Sequence, residues 1–469
     1  MKNKGTLSLK TQIGYGMGSV ADNAVYNFIV SFLSFYMTTM AGVSPIVAGG
    51  IISFAVFWDA ITDPIVGILI DSSKSKYGKR RPFIIGSVVP MCAAIILLFT
   101  NVGFEGVVKN IYYVVLVLLF WTAYTVFNIP YYSLGAAITT DDDERTKLSA
   151  LRQTLGYVGV FMGSSVTTFV VGKLVASGMK NATAWTWAAV LAAVVIAVSI
   201  VIAWAVTKGK EEIDTEEVES RSVKEIFKEV GELLTYKPYV LIIISAFCSC
   251  VTFAFMDSDL MYFATYVLGV DEVAASMVYT ALTIFGIILI PVITKFALKW
   301  DKRSTYIGCM LFSGAIMIAM KFIGITSLTS MIIYMGLYSV GYGAYWMFIF
   351  NLLYDVADID ELKSGRRRDG AIFSYYSFLL KLGGAAAAWF LGAVLQNTGF
   401  DANAAQQSEH ALKGIASLFT IYPGIFMVIS GAVILLSPLN KTVTEAVRKA
   451  LEAKKNGEAY ETEAFKHLL

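Results

Sequence analysis

Histidine is nearly absent from this sequence. Of 469 residues only two are histidine, and His410 and His467 both lie outside the long apolar stretches. Neither a histidine proton relay nor a His-ligated metal site is therefore expected inside those stretches. Cysteine is almost as scarce, with four residues. Cys92, Cys248, Cys250 and Cys309 all stand in apolar segments, and none has metal-ligand spacing, since Cys248 and Cys250 diverge on a helix. Charge is sparse too: 15% of residues are charged against 57% hydrophobic, and the net charge of +2 gives no reason to expect nucleic acid as a partner. The amino terminus is short and basic, with Lys2, Lys4 and Lys10, and no small-residue cleavage site follows, so a removable signal peptide is not expected. No nucleophile–base pair, metal set or phosphate loop occurs at membrane depth. An enzyme is not expected either, nor any cofactor.

What the chain does have is apolar length. Segments long enough to cross roughly 30 Å of hydrocarbon recur throughout. Twelve spans are expected, at 13–39, 44–71, 82–101, 111–138, 150–174, 184–207, 238–265, 272–298, 304–324, 328–356, 371–396 and 414–437. The fold class is an all-α membrane protein. Lysine and arginine crowd the 2–3 loop (Lys74, Lys76, Lys79, Arg80, Arg81), the 8–9 loop (Lys295, Lys299, Lys302, Arg303) and the 10–11 loop (Lys363, Arg366, Arg367, Arg368). Loops 1–2 and 9–10 hold none, so both termini are expected in the cytoplasm of a multi-pass plasma-membrane protein.

Composition also divides the chain. Residues 1–207 form an N-terminal six-helix half, 208–236 a charged cytoplasmic linker, 237–439 a C-terminal six-helix half, and 440–469 a cytoplasmic tail. The tail reads as a solvated helix that frays. A weak internal repeat supports the two halves. The basic loop from Asp71 to Pro82 corresponds in position to Lys295–Arg303, and Asn128 to Arg152 corresponds to Asn351 to Arg368. Repeated halves with polar groups at mid-membrane are the pattern of secondary transporters.

The second span carries Asp59 and Asp63 in an otherwise uncharged run. Four residues apart, they stack on one helical face. Each costs at least roughly 2.5–3.5 kcal/mol in a bilayer, so a cation, a proton or water must meet them. Pro64 withdraws a backbone donor beside them. Asp22 and Tyr26 share one face of the first span, and Asn23 and Asn27 the next. Thr125, Asn128 and Tyr132 follow one another on the fourth span, loosened by Pro130. Ser374, Ser377 and Lys381 share a face of the eleventh, where Lys381 is a lone cation needing a carboxylate or a ligand. Asp257 and Asp259 in span seven point to different faces, and Trp346 stands in an aromatic run of span ten.

Together these residues resemble the glycoside–pentoside–hexuronide:cation symporters. The likeness rests on Trp58-Asp59-Ala60-Ile61-Thr62-Asp63-Pro64, on Asp71 with Tyr77-Gly78-Lys79-Arg80-Arg81-Pro82, on Asn128-Ile129-Pro130-Tyr131, and on Asp360 to Gly370 followed by Lys381. It covers nearly the whole chain and implies the major facilitator fold, two six-helix bundles that rock about a central site. By the resemblance, a Na⁺ or H⁺ site falls on Asp59, Asp63, Thr62 and Thr125, with no other metal. The sugar site falls on Asp22, Asn23, Tyr26, Asn128, Tyr132, Arg152, Trp346, Ser377 and Lys381. Asp71, Lys79, Arg80 and Arg81 are expected to gate the cytoplasmic side. Asp22-Asn23 stands where the melibiose permease of that family has Lys-Asp, Asn128 replaces an Asp, and Tyr132 replaces a Trp. Galactoside specificity is therefore not implied. The expected function is cation-coupled symport of a sugar by a monomer in the bacterial cytoplasmic membrane. A lipid or lysolipid carrier and a non-transporting sugar sensor are the alternatives.

Overall fold

The computed structural model describes residues 7–71, 73, 75, 77–138, 142–210, 231–365, 369–404, 406–456, 458–460 and 462–465. Among them the chain is helical, and helices follow the apolar runs. They are α1 (Leu9–Phe35, ending in a π turn, Tyr36–Met40), α2 (Pro45–Asp71), α3 (Arg81–Leu98) and α4 (Gly106–Ile138). α5 runs Asp142–Phe161 and on through a π turn, Met162–Val166, to Thr167–Ala176, and α6 is Asn181–Val206. The others are α7 (Lys237–Tyr262, with a π turn at Phe263–Val267), α8 (Glu272–Lys299), α9 (Lys302–Ile323), α10 (Leu328–Ser364), α11 (Asp369–Asn397) and α12 (Glu409–Leu435). Among the described residues, eleven helical segments are long and apolar enough to cross a membrane. α1 is long enough but is not among them, because Asp22, Asn23 and Asn27 lower its hydropathy. Most of the linker, 211–230, lies outside the described residues.

Helix ends obey local chemistry. α10 starts at a capping box in which Ser327 and Ser330 satisfy each other's backbone donors, and it stops at Gly365, whose φ of 70° only glycine adopts freely. α9 starts at Asp301, whose carboxylate accepts from the Ser304 amide at 2.9 Å.

Two compact units emerge, and they do not follow the division by halves. The first takes Met1–Glu217 with Asp257–Thr283 and Ala388–Ile415, and the second takes Val218–Met256, Ile284–Ala387 and Ala416–Leu469. In the first unit α1 lies against α5 and α6, and α2 lies against α4. α1 and α5 approach closely because Gly159 and Gly163 face α1. A Cβ on Gly159 would stand 2.5 Å from the Val20 carbonyl oxygen, and one on Gly163 would stand 2.3 Å from that of Ala24. Segments of the second half also pack here. Asn181 donates to Glu272 at 2.7 Å, and a Cβ on Gly392 would strike the Pro45 carbonyl oxygen at 2.4 Å.

The second unit is tied by a buried hydroxyl knot. Ser245 on α7 lies 2.8 Å from both Tyr306 on α9 and Ser430 on α12, and Ser249 lies 2.8 Å from Ser430. A hydroxyl can both donate and accept, so the four groups serve as one another's partners.

The tail departs from the expectation of a solvated, fraying segment. Residues Lys441–Lys455 form a capped helix, α13, that packs on α10. Its apolar stripe, Val443, Val447, Ala450 and Leu451, is buried. Arg448 reaches Asp355 at 3.2 Å and Asp358 at 3.5 Å, Lys302 reaches Asp355 at 2.5 Å, and Lys454 donates to the Leu362 carbonyl at 3.1 Å. The spacing of apolar residues was visible in the sequence, but α10 continuing past the bilayer-length run to supply a surface for them was not. Burying a valine is worth about 2 kcal/mol. Val447→Asp should therefore release α13, and trypsin cleavage at Lys449 and Lys454 should quicken about tenfold or more. Unchanged cleavage would show that the helix is not held by this face.

Candidate functional site

Asp22 anchors the polar centre of the first unit. Midway along α1 and only 5% exposed, it is met by three donors from one helix. The Tyr124 hydroxyl and the Asn128 amide donate to Oδ1 at 2.8 and 2.7 Å, and the Tyr132 hydroxyl donates to Oδ2 at 2.8 Å. Residues 124, 128 and 132 are spaced by four, so they form one line along α4. Asn128 also donates to the Tyr124 hydroxyl at 3.3 Å. The Arg152 guanidinium of α5 lies over the Tyr132 ring, 4.5 Å from its centroid, and close enough to Asp22 to act on its charge. Tyr26, half exposed, sets its ring 6.3 Å from those of Trp121 and Tyr124.

A second cluster sits where α2 crosses α4. The Thr125 hydroxyl donates to Asp59 Oδ1 at 2.6 Å and lies 3.2 Å from Asp63 Oδ1. One hydroxyl hydrogen thus draws both carboxylates to a single point. Thr62 donates to the Asp59 carbonyl at 3.1 Å, and its oxygen lies 3.5 Å from that of Thr125. Asp59, Thr62 and Thr125 are all buried. Trp58 beside them donates to Thr122 at 2.8 Å. Two carboxylates and two hydroxyls are a hard oxygen set, which suits a small alkali cation or a proton and not a soft metal. No group of three or more His, Cys, Asp or Glu is placed to hold a metal among the described residues.

The expected residues fall into place unequally. Asp22, Tyr26, Asn128, Tyr132 and Arg152 gather in one cluster, and Asp59, Thr62, Asp63 and Thr125 in the other. Thr125 and Asn128 do not serve one partner: a shift of about 60° around the helix sends Thr125 to α2 and Asn128 to α1. Asn23 joins neither cluster. Its amide donates to the Ser19 carbonyl at 2.9 Å and packs at Gly156 of α5. Tyr124 was missed, although its position four before Asn128 placed it on the same line.

Trp346, Ser377 and Lys381 belong to the second unit. Trp346 is half exposed, with its ring stacked 6.4 Å from Phe253, Ser377 is exposed, and Lys381 is partly buried on the same helix. Of the basic loop, Arg81 is buried and donates to the Trp204 carbonyl at 2.8 Å with its guanidinium 4.8 Å from the Trp204 ring. Arg80 donates to Ser133 at 2.9 Å. Lys79 is partly buried beside them, and the Asp71 side chain lies outside the described residues.

Such a bundle of membrane-length helices, with carboxylates paired to hydroxyls at mid-helix, defines a polytopic membrane transporter of the major facilitator fold. The profile of the family described as MFS/sugar transport protein matches residues 14–441, and the chain belongs to that family. It is 29% identical over 442 residues to an uncharacterized symporter, YjmB, of Bacillus subtilis (strain 168), covering 90% of this chain and 91% of that one. It is 26% identical to the putative glycoside/cation symporter YagG of Escherichia coli (strain K12), with 95% of each chain covered. Among solved structures, a variant of the nucleoside transporter NupG superposes with a TM-score of 0.66 at 12% identity, over 90% of this chain and 99% of that one, which shows the fold alone.

The Asp22 cluster sets a stability prediction. Asn128→Leu keeps the volume but removes a donor from a buried carboxylate, at a cost of about 1–3 kcal/mol. Asn27 donates only to the Asn23 carbonyl of its own helix at 2.9 Å, so Asn27→Leu should cost less. Thermal unfolding in detergent measures both, and equal midpoints would show that Asp22 does not depend on Asn128.

Proposed function

We propose that the protein is a cation-coupled sugar symporter working by alternating access, with Na⁺ or H⁺ taken at Asp59 and Asp63 and sugar at the cluster around Asp22. The observation that carries this reading is that α4 serves both clusters within one helical turn, through Thr125 on one side and Asn128 on the other. A cation between Asp59 and Asp63 satisfies the pair, holds α2 to α4, and so settles the helix that presents Tyr124, Asn128 and Tyr132. Each ligand then lowers the ordering cost of the other, and linkage makes that effect reciprocal. The relative named as a glycoside/cation symporter supports the substrate class. Trp346, Ser377 and Lys381 are assigned to sugar recognition as well. Asp71, Lys79, Arg80 and Arg81 form the cytoplasmic gate, with both termini on that side. The working unit is the monomer, embedded in a bacterial cytoplasmic membrane.

Uptake of a panel of glycosides, pentosides and hexuronides into vesicles, with and without Na⁺, tests the reading. At least one sugar should be accumulated against its gradient, and counterflow of labelled sugar separates transport from mere binding. Asp59→Asn and Asp63→Asn should each abolish accumulation while the protein still reaches the membrane, and normal accumulation in both would sink the cation site. Thr125→Val removes the shared hydroxyl at nearly constant shape. It should raise the half-saturating cation concentration about five- to thirtyfold, corresponding to about 1–2 kcal/mol. An unchanged cation requirement would place the ion elsewhere.

A further inference from the structure

A crevice of about 320 Å³ lies between α5 and α6, two helices of membrane-spanning length. Val166 and Val170 of α5 and Leu191 and Val195 of α6 line it. Buried Ala24 of α1 and Gly163 of α5 line it too and close its inner side. Small residues leave this gap unfilled, and the π turn Met162–Val166 broadens α5 at the same level. Thr167 brings the one hydroxyl of the lining, which donates to the Met162 carbonyl at 3.3 Å. The crevice is therefore apolar in effect. Its mouth opens on the hydrocarbon side, where Leu191, Trp187 and Phe169 are 42%, 54% and 46% exposed.

Both helices set the crevice at one depth. On α5 the lining runs from Met162 to Val170, about 9 to 21 Å from the helix end at Ala176. On α6 it runs from Ala188 to Val195, about 10 to 21 Å from the start at Asn181. That is acyl-chain depth below one face of a bilayer whose hydrocarbon is roughly 30 Å thick. Two exposed lysines stand above it at that face. Lys173 comes one turn after Val170 on the same side of α5, and Lys180 stands at the start of α6. Among the described residues the Lys173 ammonium meets the Phe169 ring, 5.5 Å from its centroid, and no carboxylate. Glu272 is the acid at this end. Its backbone packs on Gly172, about 100° around α5 from Lys173, and its carboxylate accepts from Asn181 at 2.7 Å. Cations set above an apolar crevice call for an anion with a long apolar remainder.

We propose that this crevice binds an anionic phospholipid, with one acyl chain between α5 and α6 and the headgroup phosphate at Lys173 and Lys180. A polar ligand would leave its own groups unpaired against the lining. A free inorganic anion has nothing for the lining to hold. A zwitterionic lipid carries its own ammonium, which offsets the attraction of the lysines. The site goes beyond the transport reading and does not depend on what the protein carries.

The test is photolabelling of the purified full-length protein in detergent with phosphatidylglycerol that bears a diazirine on one acyl chain. Mass spectrometry then locates the adducts. They should gather on residues 162–170 and 188–195, at least about fivefold above α3, whose Val89 and Leu97 also face lipid. Unlabelled phosphatidylglycerol should displace the label more readily than phosphatidylcholine, by about fivefold for each lysine. Lys173→Gln with Lys180→Gln should erase that preference. Ala192→Phe fills the crevice below the lysines and should lower labelling there about tenfold. Adducts spread evenly over α3, α5 and α6 in the wild type are ordinary boundary lipid and overturn the proposal, whatever the variants do. Equal displacement by the two lipids overturns it as well, and so does displacement by inorganic phosphate alone.

Discussion

A carboxylate inside an apolar helical bundle can only accept hydrogen bonds, so something in the bundle must donate to it. In the first unit α4 is that donor. Its hydroxyls and one amide meet Asp22 on one side and Asp59 with Asp63 on the other. The rest of the arrangement depends on this constraint. α1 and α2 cannot rotate or slide against α4 without stripping donors from buried carboxylates, which costs more than any of the apolar contacts nearby. The close approach of α5 through Gly159 and Gly163 then brings Arg152 to the edge of the same cluster.

The second unit meets the same constraint by different means. Its buried polar groups at mid-helix are hydroxyls that satisfy one another, as in Ser245, Ser249, Tyr306 and Ser430. Its principal buried carboxylate, Asp355, is paired with cations from Lys302 and from Arg448 of the tail. A bundle whose anions are held by neutral donors can exchange a donor for a cation. One whose anion is already paired is built for holding. That difference supports the proposal that the coupling ion is taken in the first unit.

A good part of the architecture was legible without coordinates. The length of the apolar runs sets the helices, because backbone groups in hydrocarbon must be satisfied within the segment. The four-residue spacing of Asp59 and Asp63 puts them on one face of any helix, whatever surrounds it. The line of Tyr124, Asn128 and Tyr132 was equally present, yet Tyr124 went unread because a tyrosine in an aromatic run usually signals packing. The tail's apolar stripe was seen, but its partner, the far end of α10, lies some ninety residues away in the chain.

What the sequence by itself determined is therefore which residues share a helix face, since 3.6 residues per turn is a property of the backbone alone. Where each face points was decided only by tertiary packing, since it depends on how neighbouring helices are rotated and how closely they approach. Asn23 and Asn128 are equally polar and equally deep in their helices. Glycines on α5 draw Asn23 against a neighbouring backbone, while Asn128 faces an acidic side chain and becomes its donor. Asp257 and Asp259 likewise differ by only two positions. Packing leaves Asp257 partly exposed and Asp259 fully buried, with no hydrogen-bond partner for its carboxylate among the described residues.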